Sequence, residues 1–176
     1  LEWEQYYKVG ELGNKIHFLP RIKTSQELAS IMRRSDCLVA PSRAEGWCMP
    51  AHEMMSTGGW VIASDCTSFK DYDREAFEFP TGDVDFDTMQ MEERSLLIPM
   101  EAKATEPAYD APFFSGQGQW FSFGAQQIDA LVERMKLIHQ LKQRSDLPMN
   151  TAGLDFARNT TWSSITKRIT ESIEAL

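Results

Sequence analysis

The residues with the most chemical content lie in one stretch, Pro41-Ser-Arg-Ala-Glu45-Gly-Trp-Cys-Met-Pro50-Ala-His-Glu53. Glu45 stands in a predicted loop, and Glu53 falls one turn into a helix that Pro50 suits as a first-turn residue. Two carboxylates therefore flank one helix N-terminus. Gly46 lets backbone come close to a ligand, and the amides of Trp47, Cys48 and Met49 precede or open the helix, where they lack internal acceptors. Carboxylates accept hydrogen bonds from hydroxyls, while free amides at a helix start suit an anion or sugar oxygens. Such a set fits a phosphorylated polyol. Plainer roles compete at each position. Glu45 and Glu53 serve equally as solvated carboxylates, Trp47 as core filler or as a stacking face, His52 as a packing residue, and Arg43 as a surface charge or as a cation beside a diphosphate.

The elements around this stretch alternate short apolar runs with amphipathic ones, the pattern of strands joined by crossover helices. Ile16-His-Phe-Leu19 predicts a strand closed by Pro20, and Thr24-Ser-Gln-Glu27 a capping box opening a helix with Leu28, Ile31 and Met32 on one face. Asp36 to Pro41 predicts a second strand, continuously apolar as if covered on both faces, with Ser42 to Met49 leaving its carboxyl end. A helix over Pro50 to Ser56 stops at Gly58-Gly59, and Trp60 to Ser64 is a third strand. Glu75 to Phe79 and Ser95 to Pro99 are weaker strand candidates. Residues 100–124 show neither period and read as a long structured loop or insertion. The stripes Ile128, Leu131, Val132, Met135, Ile138 and Trp162, Ile165, Ile169, Ile173, Leu176 predict closing helices, the second within 150–176, with these stripes as core faces. The fold class is α/β: one Rossmann-like domain over 1–176, a parallel sheet with helices on both faces. In such sheets ligands sit beyond the carboxyl ends of the strands, where the Glu45 loop lies.

The pattern Pro-Ser-x-x-Glu-Gly-aromatic-x-x-Pro-x-x-Glu, followed by Gly58, the run Trp60 to Ser64 and Asp65, resembles the Glu-x7-Glu signature of retaining GT-B glycosyltransferases, glycosyltransferase family 4 or glycosyl transferases group 1. Sucrose, trehalose and glycogen-type synthases belong to that large family. Residues 16–20 and Glu27-Leu28 resemble the preceding strand and helix, and Gly118-Gln-Trp120 and Trp162 resemble features near the end of the family's donor domain. The resemblance implies a GT-B C-terminal, donor-binding domain, N-terminally truncated. It implies that Glu45, the catalytic candidate, holds donor-sugar hydroxyls. Amides from Gly46 to Met49 would touch sugar and phosphate, Glu53 would bind ribose hydroxyls, and Arg21 and Ile22 would lie where the nucleobase packs. Arg43 is a further donor-site candidate. The family retains anomeric configuration and uses no metal, so no cofactor is expected beyond the nucleotide sugar as substrate. Trp47 replaces the more usual Phe of the motif, and Cys48 stands where Gly is common. The family's upstream glycine loop, with its Arg and Lys for the diphosphate, has no counterpart in the sequence. An acceptor glycan, lipid or small molecule would be met through an N-terminal domain, and this chain by itself would bind donor without turnover.

Composition narrows the classes further. The 176 residues are 42% hydrophobic and 25% charged, ordinary for one globular domain, and 18 Lys and Arg against 26 Asp and Glu give a net charge of -8. A nucleic acid held by phosphate contacts is therefore disfavoured. No apolar run approaches the roughly 20 residues of a membrane-spanning helix. Cys37, Cys48 and Cys66 form no C-x-x-C pair, which fits a reducing compartment and a cytoplasmic location, with membrane association left open for a full-length protein. Ser56 stands where a helical zinc motif begun by His52-Glu53 needs its second histidine, so no zinc site is expected. Asp83-Val-Asp85 matches the metal-binding triplet of another glycosyltransferase fold but lies in an acidic loop where such spacing arises easily, and Gly116-Gln-Gly118 lacks the third glycine of a dinucleotide fingerprint. The rival function is a non-catalytic Rossmann-like module whose acidic surface and 100–124 segment contact a protein partner.

Overall fold

A computed structural model describes residues 19–72, 97–110 and 112–175. The predicted capping box forms: Thr24 Oγ1 accepts from the Glu27 amide at 3.2 Å, Glu27 Oε2 accepts from the Thr24 amide at 3.1 Å, and helix α1 runs Ser25–Arg33. Strand β1 (Cys37–Ala40), helix α2 (Met49–Ser56), strand β2 (Trp60–Ser64) and the short helix α3 (Phe69–Tyr72) follow. Strand β3 is Ile98–Met100, two residues of the expected 95–99 strand carried one residue further. The sheet order is β1-β2-β3, all parallel, with Leu38 opposite Val61 and Ile62 opposite Ile98.

The side-chain alternation of β2 builds two cores, one on each face of the sheet. Val61 and Ala63 join Met54 and Met55 of α2, Phe69 and Tyr72 of α3, and Ala157. Trp60 and Ile62 join Ile98 with Leu137, Ile138 and Leu141. The latter trio belongs to helix α4 (Ala125–Gln143), and Ala157 to helix α5 (Thr151–Asn159), which packs on α2. Helices thus cover both faces, and the α/β expectation holds. All five residues of β2 are buried.

Several local expectations differ from what forms. Strand β1 is an edge of the described sheet and only half covered, with Val39 36% exposed, because no described strand lies on its outer side. Leu19 is exposed and outside any strand, while Ile16 to Phe18 and the 75–79 strand lie outside the described residues. The 100–124 segment carries a β-hairpin, β4 (Thr105–Asp110) antiparallel to β5 (Phe114–Phe121). Its period is hidden because the register shifts between Pro107 and Tyr109, where Gly116 and Gly118 take φ of 91° and 92°. In α4 the buried face is Arg134, Leu137, Ile138 and Leu141, whereas Ile128, Val132 and Met135 are exposed. Helix α6 (Trp162–Glu174) buries none of its residues, and its Trp162, Ile169 and Ile173 stripe faces outward. Of the first stripe only Ile138, with the partly buried Leu131, reaches a core among the described residues, and the second stripe contributes no buried residue there.

Candidate active-site loop

The loop between β1 and α2 lies at the carboxyl edge of the sheet and is tied to its neighbours there. Ser42 Oγ donates to Glu45 Oε1 at 2.7 Å, which fixes the carboxylate, and the Glu45 amide donates to Thr67 Oγ1 at 2.9 Å. Thr67 belongs to the turn after β2, so two strand ends meet at Glu45. The Asp65 amide donates to the Met100 carbonyl at 2.7 Å, which joins the end of β3 to the same edge. Two residues flanking Glu45 hold left-handed backbone: Cys48, with φ 54°, and Thr67, with φ 45°. For a β-branched threonine this is an uncommon and costly conformation, tolerated only where the surroundings dictate it.

Gly46 has an exposed backbone, and a Cβ built on it meets nothing within 4 Å. Neither φ nor packing requires a glycine there. Among the described residues, the amides of Gly46, Trp47, Cys48 and Met49 have no acceptor. Glu53 is half-buried on the first turns of α2, and its carboxylate has no hydrogen-bond or ion-pair partner among the described residues. Trp47 packs inward, its ring 4.6 Å from that of Tyr72 and 6.5 Å from that of Phe156, while its carbonyl accepts from Tyr72 Oη at 2.6 Å. Its remaining surface lines a cavity of about 510 Å³ with Met49, His52, Thr160, Thr161, Trp162 and Ile165. His52 Nε2 is buried without a hydrogen-bond partner. The tryptophan thus fills core and lines a cavity at once.

Arg43 is committed to the hairpin. Its Nε donates to the Phe121 carbonyl at 2.8 Å, the Phe121 amide donates back to the Arg43 carbonyl at 2.9 Å, its guanidinium pairs with Glu106, and its Cζ sits 4.2 Å from the centre of the Trp120 ring. Arg21 is exposed and Ile22 half-buried just before α1, and no hydrogen bond or ion pair joins them to the loop. Burial pushes the thiols of Cys48 and Cys66 above their ordinary range, so neither is a thiolate at neutral pH. The Cys66 thiol donates weakly to the Ser42 carbonyl at 3.6 Å. Among the described residues no group of three or more His, Cys, Asp or Glu is placed to hold a metal ion, and Asp83 and Asp85 lie outside them. No helix among them is long and apolar enough to cross a membrane.

Sequence reasoning missed Thr67 and the hairpin residues Glu106, Trp120 and Phe121. No motif signals them, because they reach the loop only through the fold. Comparison with known proteins adds one likeness. Neither a curated protein nor a solved structure matches the chain. Residues 4–82 match the family model of glycosyl transferases group 1, so the likeness that supports this family covers the whole Glu45 loop and Glu53, and the hairpin and helices α4 to α6 lie beyond it.

Proposed function

We propose that the chain is the donor-binding domain of a retaining GT-B glycosyltransferase, which moves a hexosyl group from a nucleotide-diphosphate sugar to an acceptor. The observation that carries this reading is the Glu45 loop itself. It lies at the carboxyl edge of a parallel sheet, within the residues that match the family, with an oriented carboxylate and a run of uncommitted amides. Glu45 accepts hydrogen bonds from sugar hydroxyls at the reacting end, as the catalytic residue. The amides from Gly46 to Met49 hold sugar and phosphate oxygens and spread the charge of the leaving diphosphate, a role that needs no metal. Glu53 takes the ribose hydroxyls, and Arg21 and Ile22 flank the base. Arg43 acts from one step back, holding the hairpin against the loop. Transfer also needs an acceptor held against the anomeric carbon in a water-poor cleft, so catalysis belongs to an assembly with a second wall.

Titration of UDP, GDP and ADP, each free and as a sugar conjugate, tests this reading. Saturable binding of one base, weakened by Glu53→Gln in a protein that remains folded, is the expected result. Absence of binding by this chain and by a version extended at its N-terminus would instead favour a non-catalytic interaction module.

A further inference from the structure

The hairpin beyond the matched residues carries an arrangement that the donor reading does not use. Between residues 104 and 124 the sequence has six aromatic residues, two glutamines, several hydroxyl side chains and no Lys or Arg. In the antiparallel register, Thr105, Pro107 and Tyr109 share a face with Phe121, Gln119 and Ser115. The other face carries Glu106, Trp120 and Phe114, and there Arg43 clamps it to the Glu45 loop. The Tyr109 face is left open, with Tyr109 68% exposed. Its ring lies across the bare backbone of Gly116, where a Cβ would come within 2.6 Å of the phenol oxygen. The amides beside it are oriented. Gln119 Oε1 accepts from Thr105 Oγ1 at 2.7 Å, and Gln117 Oε1 accepts from both the amide and the hydroxyl of Ser115 at 2.8 Å. Each glutamine therefore has its carbonyl occupied and its NH₂ group left without an acceptor among the described residues.

We propose that this face binds a neutral oligosaccharide, the acceptor chain of the transfer proposed above; the acceptor role rests on that reading, whereas the binding does not. An open aromatic ring offers an apolar plane to the C–H face of a pyranose, and oriented NH₂ donors meet its hydroxyls. The absence of cations, with Glu106 and Asp110 the only charges of the segment, selects against phosphates and polyanionic chains. Continuity with the donor loop argues for an acceptor: the Phe121 amide donates to the Arg43 carbonyl and the Arg43 side chain donates to the Phe121 carbonyl, so the hairpin that would carry the chain is fastened beside the Glu45 loop.

Native gel electrophoresis of the whole chain in gels containing a soluble α-glucan, a β-glucan, a mannan or heparin tests the proposal. At least one neutral polymer should retard the protein. Tyr109→Ala should weaken that retardation about tenfold, Tyr109→Phe should preserve it, and Gly116→Ala, which displaces the ring, should reduce it. The exposure of Tyr109 keeps Tyr109→Ala folded, as an unchanged thermal midpoint will show. No retardation by any neutral polymer, equal retardation by heparin, or retardation indifferent to Tyr109→Ala would overturn it. Nucleotide titration of the same Tyr109→Ala protein separates the two readings. Nucleotide binding should be unchanged by the substitution. Saccharide binding through Tyr109, with no nucleotide bound by this chain or by the version extended at its N-terminus, would remove the acceptor role and the donor reading while leaving the surface.

Discussion

At the scale of single residues, the loop separates groups that the protein itself engages from groups without a partner among the described residues. Glu45 is oriented by Ser42 and Thr67, whereas Gly46 is glycine where neither backbone angle nor neighbour demands it. Gly46→Ala should therefore change stability by no more than about 0.5 kcal/mol in urea unfolding. It should nonetheless weaken nucleotide-sugar binding about tenfold, because the new methyl occupies the space of close approach. Unchanged binding in that variant would place the donor elsewhere. Cys48 gives the opposite case. Its left-handed backbone predicts that Cys48→Val costs about 1 to 2 kcal/mol, while Cys48→Gly is tolerated better, as paired urea midpoints would show. The placement of Glu45, Gly46 and Glu53 about the start of one helix was legible in sequence because the strand, loop and helix signals around them are local. Thr67 was not, since it meets Glu45 across 22 residues and nothing local marks it. Nor was the use of Arg43, whose backbone and side-chain partner Phe121 lies 78 residues away.

Among the elements, those with strong local signals formed where the sequence placed them. The Thr24/Glu27 box opens α1, and Gly58, with φ 81°, follows the end of α2. The hairpin stayed hidden because its bulge breaks the alternation that marks a strand, and the exposed stripes of α4 and α6 misled because periodicity shows an apolar face but not whether anything covers it. The clamp at Arg43 makes a local prediction. Its ion pair with Glu106 is substantially exposed, so Arg43→Ala should lower global stability by less than about 1 kcal/mol. Hydrogen exchange should nevertheless speed up at the Phe121 amide and along β5, since the hairpin loses its anchor. Equal protection in both proteins would show that other contacts seat it. Helix α5 depends on Asn150, buried to 1% exposure, whose Oδ1 accepts from the Gly153 amide at 2.7 Å and whose Nδ2 donates to the Gly59 carbonyl at 3.3 Å. Asn150→Ala should cost about 1 to 3 kcal/mol, read as a lowered unfolding midpoint.

For the whole molecule, two cores meet on the buried strand β2, and Cys37 of the neighbouring strand packs against one of them. Burial pushes the Cys37 thiol up to about 12 from an ordinary value of 9.0; a backbone hydrogen bond with Ile62 opposes this and the charge of Asp36 adds to it. Above pH 9 the unfolded chain sheds a proton that the folded chain keeps, so this contribution to stability is complete below 9 and is lost as pH rises through the window to about 12. Urea midpoints should hold level up to pH 9 and then fall, and Cys37→Ala should flatten the fall; an unchanged alkaline slope in that variant would assign it to other groups. The parallel sheet was legible as a whole because apolar runs and helix signals agree, and that agreement places the Glu45 loop at a carboxyl edge. Whether that edge receives a nucleotide sugar is the central claim, and calorimetric titration of UDP, GDP and ADP with their sugar conjugates into this chain and into Glu53→Gln tests it most directly. Saturable binding to one base, weakened by the substitution at unchanged thermal stability, is the expected result. Binding that ignores Glu53→Gln, or no binding even after extension of the N-terminus, would contradict it.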